Sequence, residues 1–274
     1  PAGTGVSRSV SSKDIYLDLE DFVKTDEFGG QVKGGKKVNM GNVYEDDLTQ
    51  SLIDYCSGKK PKKYIDHVNI IVDAMVKKYG EGPTQALGEG GKNQARPLKK
   101  KGSNIVISAG GTTTNDIGKT LTDITLTVND KPVYLSVKFG STLSFFNCGI
   151  KGTGKGKLNL FPEAKLKAGE IPDDGQEYLN MFGIDQQKFL DVFANYGTKN
   201  GPTVENHIED TTLDNSGKAA LQEMIKSGVG YGYWMVHYTG SKLECYEIDK
   251  NYMNKAASLV GNTVEINYGG ATGN

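Results

Sequence analysis

The stretch LTDITLTVNDKPVYLSVKF, residues 121–139, decides how this chain is read. Residues 121–128 and 133–139 both carry strand signals, rich in β-branched and apolar side chains. Asn129-Asp130-Lys131-Pro132 between them predicts a four-residue turn, so the two strands form a hairpin. Along the second strand alternate side chains share a face, which sets Ser136 and Lys138 on one side and Leu135, Val137 and Phe139 on the other. A lysine in so apolar a strand is costly unless it has a partner. Asp123, at the start of the neighbouring strand, is placed to be that partner.

Outward from the hairpin, helices and strands are mixed. Upstream, Tyr44, Leu48, Leu52 and Tyr55 recur at helical spacing and predict a helix over 43–56, with Asn42 and Glu45 reading as a capping box. A second helix over 64–79 carries Ile65, Val68, Ile71, Val72, Met75 and Tyr79 on one side, and Pro61 with its surrounding lysines makes the connection. Residues 80–103 are glycine-rich and basic, which predicts a loop ending in Lys99-Lys100-Lys101. A strand signal follows at 104–109 and an aromatic run at 143–147.

Downstream lies a glycine–lysine loop over 149–157, then helices at 176–182, 185–195 and 216–227. A hairpin of 229–238 with 243–248 turns at Thr239-Gly240, and a helix at 250–258 and a strand at 263–268 complete the order. This order predicts an α/β (α+β) fold, with a mixed central sheet flanked by helices rather than a strict βαβ alternation. Residues 42–268 read as one domain, 1–41 as a flexible N-terminal arm able to clamp a second copy into a homo-oligomer, and 269–274 as a tail.

Composition narrows the function classes. The 274 residues hold 32 Lys plus Arg and 33 Asp plus Glu, for a net charge of −1, but the charge is unevenly spread. Residues 59–158 carry +10 between flanks of −4 and −7, which suggests that the middle of the chain meets an anion such as nucleic acid. Three cysteines without a CxxC pair argue against a disulfide framework or a structural zinc site. No apolar run is long enough for a transmembrane helix, and residues 1–10 lack the pattern of an export signal, so a cytoplasmic setting is expected.

Two phosphate-loop lookalikes fail on inspection. Gly149 to Lys155 matches GxxxxGK, but Gly156 follows where a magnesium-binding hydroxyl is needed. Gly118-Lys119-Thr120 has the right ending, yet Thr113 stands in place of the first glycine. No GxSxG elbow occurs, so a serine-hydrolase triad has no local signature.

The hairpin resembles the signature of the PD-(D/E)XK, or restriction-endonuclease-like, nuclease superfamily. That signature is an acid at the start of one core strand and (D/E)-x-Lys on the next, after a helix that often bears a Glu. Asp123 matches the first acid, Lys138 the lysine and Glu45 the helix acid. Thr122 stands where proline is common, and Ser136 departs from the expected carboxylate, as in members with Ser-x-Lys that recruit an acid from a following helix. Glu163 is placed for that part.

The resemblance implies Mg2+ or Mn2+ held by Asp123 with Glu45 or Glu163, and hydrolysis of phosphodiesters, DNA more than RNA, with Lys138 assisting the attacking water. Lys99, Lys100, Lys101, Lys151, Lys155 and Lys157, on the loops flanking the strands, would track a phosphate backbone. The polar, glycine-rich texture looks similar to bacteriophage-encoded proteins. The competing expectation, favoured by Ser136, is a non-catalytic nucleic-acid binder or phage structural protein on the same fold.

Overall fold

A computed structural model of the protein describes residues 31–33, 36–90, 96–108, 116–141, 143, 145, 148–149, 159–193, 207–261 and 263–267. In chain order the elements are β1 (Gln31–Lys33), β2 (Lys36–Val38), α1 (Met40–Cys56), α2 (Ile65–Tyr79), β3 (Gln85–Gly88), β4 (Arg96–Lys101), β5 (Asn104–Ile107) and α3 (Gly118–Leu121). There follow β6 (Ile124–Val128), β7 (Lys131–Phe139), β8 (Cys148–Gly149), α4 (Glu163–Lys167), α5 (Asp173–Met181) and α6 (Gln186–Phe193). The chain closes with β9 (His207–Thr212), α7 (Asn215–Val229), β10 (Tyr233–Tyr238), β11 (Leu243–Ile248), α8 (Lys250–Ser258) and β12 (Thr263–Asn267). No helix among the described residues is long and apolar enough to cross a membrane.

The centre is a five-stranded mixed sheet in the order β11-β10-β7-β6-β3. β10 runs parallel to β7, and the other neighbours are antiparallel. The β6–β7 hairpin turns on two residues rather than the expected four, because Val128 already pairs with Lys131. Asn129 and Asp130 supply the left-handed backbone (φ 50° and 57°) that a tight hairpin turn requires, and Asn and Asp tolerate it better than most side chains. Pro132 is accommodated because β10 first pairs with β7 at Leu135, so a missing N–H at position 132 breaks no ladder bond to β10.

Each face of the sheet buries its own core. Leu135, Val137, Ile124, Leu126, Trp234 and Val236 pack beneath α1 and α2, against Tyr44, Leu48, Leu52, Val68, Ile71 and Met75. On the opposite face Tyr233 and Met235 join a second cluster built from α7, α8, β5 and α5. Arg96, on β4, is buried in that half and donates to the carbonyls of Ser227 (3.3 Å) and Gly228 at the C-terminal end of α7. A cation at that end satisfies helix carbonyls that have no intrahelical partner.

Several sequence expectations change. The stretch 80–103 is not a plain loop: it contains β3 and β4, and Lys99-Lys100-Lys101 lie on a strand paired antiparallel with β5. Their alternation was hidden because β4 is charged at its outer end (Lys100 and Lys101), while Leu98 is fully buried. Helix α1 starts earlier than expected, within the presumed arm, whose residues 31–33 and 36–38 form the β1–β2 pair. Its N-cap is Asn39, not Asn42: Asn39 Oδ1 accepts from Gly41 N (2.8 Å) and Asn42 N (3.4 Å). Glu45 therefore lies too far into the helix to belong to a capping box. Residues 1–30 and 268–274, with the rest of the arm and the tail, lie outside the described residues.

The cap gives a direct check. Asn39→Ala is expected to destabilise the fold by about 1 kcal/mol in urea unfolding, the usual cost of losing an N-cap side chain, whereas Asn42→Ala leaves the midpoint essentially unmoved.

Candidate active site

Asp123 immediately precedes β6, and its position follows from the hairpin register. Ile124 pairs with Leu135, and Asp123 N donates to Leu135 O (2.8 Å), so the Asp123 side chain lies on the face of Ser136 and Lys138. Asp123 Oδ2 accepts a 2.6 Å hydrogen bond from Val137 N and lies 3.5 Å from Ser136 Oγ and 3.7 Å from Lys138 Nζ. The carboxylate thus caps the end of the β6–β7 ladder with one oxygen. Its Oδ1 has no protein hydrogen bond among the described residues. Asp123 and Lys138 are partly exposed, at 19% and 32% of their side-chain surface, so the pair faces solvent.

Glu45 comes from the other face. The N-terminal part of α1 stands at the end of the sheet, where Tyr44 packs against Phe139 and Tyr238, the last residues of β7 and β10. Glu45, the next residue, is half-buried and its carboxyl is pushed up to about 7. Burial is the main cause. The negative charge of Asp123 adds to it, and the positive charge of Lys138 works against it. That mutual influence joins the three side chains, drawn from α1, the β6 entry and β7, into one electrostatic cluster.

The other expected residues fare differently. Glu163 opens α4, and its side chain lies outside the described residues, as do Lys151, Lys155 and Lys157. Lys100 is held by Asp174 and Glu177 at 2.6 Å each, so its charge is already matched within the protein. Lys101 is exposed at the end of β4 and Lys99 is half-buried. Thr122, in the place of the resembled proline, is buried and donates to Ile124 O (2.7 Å), fixing the entry to β6.

One acid beside Asp123 escaped sequence reasoning. Glu89 N donates to Asp123 O (2.9 Å), which extends the β3–β6 pairing by one residue, and Glu89 Oε1 accepts from Thr125 Oγ1 (2.5 Å). It sits in a segment with no strand periodicity, so only the pairing of β3 with β6 reveals it. Among the described residues no three His, Cys, Asp or Glu side chains converge tightly enough to cage a metal alone. Mg2+ does not require that: it commonly takes one or two carboxylates and keeps several waters. The open Asp123 Oδ1 is a donor of that kind, and Glu45 lies within the electrostatic influence of the same carboxylate.

Compared with known protein families, curated proteins and solved structures, the chain matches none.

The raised Glu45 carboxyl has a thermodynamic signature. Between its ordinary value of 4.5 and about 7 the folded state binds a proton that the unfolded state has released, so stability falls as pH rises through that window. In metal-free buffer, urea titrations at stepped pH are expected to show that decline in the native protein and to show it diminished in Glu45→Gln, the variant gaining on the native protein as pH approaches 7.

Proposed function

We propose that this protein is a metal-dependent nuclease that hydrolyses phosphodiester bonds of DNA, of the restriction-endonuclease-like type. The observation that carries the reading is the meeting of Asp123, Lys138 and Glu45, from three separate elements, at one solvent-open end of the sheet. A simple cross-strand ion pair explains Asp123 with Lys138 but gives no reason for a third, half-buried carboxyl beside them. The removal of Glu45 from the helix cap strengthens the point, because capping no longer accounts for it.

In this reading Asp123 and Glu45 would hold Mg2+ or Mn2+, which would supply charge neutralisation at the phosphate and a more acidic water. Asp123 is pre-positioned: its Oδ2 is fixed by Val137 N, which leaves Oδ1 directed by the backbone rather than by a flexible side chain. Lys138 Nζ, tethered near the same carboxylate, orients the attacking water or steadies charge on the phosphoryl oxygens. Glu45 must give up its proton to bind a cation, so metal affinity is expected to rise steeply toward neutral pH and above.

A second reading is a nucleic-acid-binding or structural protein without catalysis. Ser136 favours it, since a buried hydroxyl stands where the resemblance wants a carboxylate. Cleavage of labelled single- and double-stranded DNA and RNA, with Mg2+ or Mn2+, separates the two. The nuclease reading expects metal-dependent cutting of DNA that falls about 100-fold or more in Lys138→Ala, a half-exposed position whose truncation leaves the core intact. Cutting that is absent, or equal in both proteins, removes the nuclease reading and leaves the binder.

A further inference from the structure

Beside the acidic cluster lies a group of rings that its chemistry does not use. Tyr44 is buried at the centre, with its hydroxyl 3.0 Å from His67 Nδ1. Tyr64 stacks on His67 (centroids 5.0 Å apart, planes 24° apart), Tyr238 meets His67 edge-on at 4.5 Å, and Phe139 packs against both Tyr44 and Tyr238. Tyr64, His67 and Tyr238 all remain partly exposed, so the group reaches the surface.

Two features at this rim exceed what packing requires. Tyr64 sits at φ 50°, a left-handed conformation that a bulky side chain adopts at a cost of order 1 kcal/mol or more, and its side chain does not cap α2. A glycine or asparagine there would relax the backbone, so the strain is borne to keep a ring in place. The segment leading into it, Lys59-Lys60-Pro61-Lys62-Lys63, holds four lysines. Lys63 pairs with Asp47 (2.7 Å), whereas Lys59, Lys60 and Lys62 are exposed and make no ion pair among the described residues.

We propose that Lys59, Lys60 and Lys62 with Tyr64, His67 and Tyr238 form a binding platform for single-stranded nucleic acid. The lysines take the phosphates and the rings stack on unpaired bases. Single-stranded, not duplex, nucleic acid is the occupant because a duplex hides its base faces, and the rings are rewarded only by bases that leave the stack. The placement relative to the candidate site follows from chain neighbours: Tyr44 adjoins Glu45, and Phe139 adjoins Lys138. A strand seated on the platform is thereby held beside the acidic cluster. The inference deepens the nuclease reading by naming its substrate form, and rests on that reading only for the consequence, not for the binding itself.

The test is fluorescence anisotropy in EDTA, where no cleavage can occur, with labelled oligo(dT), an abasic strand of equal length and a duplex of equal length. Native protein is expected to bind oligo(dT) roughly tenfold more tightly than the abasic strand, and Tyr64→Ala to erase that advantage. Lys59→Ala, Lys60→Ala and Lys62→Ala combined are expected to weaken both strands and to lower the slope of log affinity against log salt by about 2. Equal binding of oligo(dT) and the abasic strand, preference for the duplex, or a triple-lysine variant that binds like the native protein overturns the platform. The strand comparison needs no substitution and the lysines are exposed, so the proposal is decided even where Tyr64→Ala fails to fold. Because no metal is present, a failed cleavage assay and a failed platform are separate results.

Discussion

The register of the β6–β7 hairpin is the constraint on which the rest depends. A two-residue turn at Asn129 and Asp130 sets Ile124 opposite Leu135, and that pairing sends Leu135 and Val137 into the core beneath α1 and α2. A slip of one residue would exchange the faces of a whole strand, burying Ser136 and Lys138 under the helices and exposing the apolar set. The same register places Asp123 where its carboxylate meets Val137 N. One local geometry therefore secures the core and assembles the acid–lysine pair.

The end of the sheet where this happens is chemically crowded for a physical reason. Strands stop pairing there, so backbone N–H groups become available to side chains, as Val137 N is to Asp123. The α1 end, by contrast, is anchored by aromatic packing of Tyr44 on Phe139 and Tyr238, which brings a half-buried carboxyl into the influence of the other two groups. Burial and a like charge act together on Glu45, while the lysine opposes them. A group so balanced changes protonation near neutrality, where an ordinary glutamate does not.

Much of the fold was legible in the chain. Helices α1, α2, α7 and α8, both hairpins of the central sheet and the mixed architecture follow from periodicity and turn chemistry, because each has a clean apolar stripe or alternation. Others have none: β3 is short and exposed, β4 carries lysines on its outer end, and β9, a polar strand, pairs among the described residues only with β12, the strand expected at 263–268. The cap of α1 was misread because Asn39 and Asn42 are both good caps and only backbone geometry chooses between them.

For the site, sequence alone determined the pairing of Asp123 with Lys138, since an acid and a lysine on adjacent strands of a hairpin are tied by local geometry. It also named Glu45 as a candidate acid. Tertiary structure decided where Glu45 sits: beyond the cap at Asn39, and within the electrostatic influence of the pair because Tyr44, its neighbour on α1, packs on the ends of β7 and β10. It decided, too, that Lys100 is neutralised by Asp174 and Glu177, and that Tyr64 and His67, at the start of α2, share one rim with Tyr238 at the end of β10. Contacts between residues close in sequence are fixed by backbone periodicity, whereas contacts across a sheet or between a helix and a strand end depend on how whole layers stack.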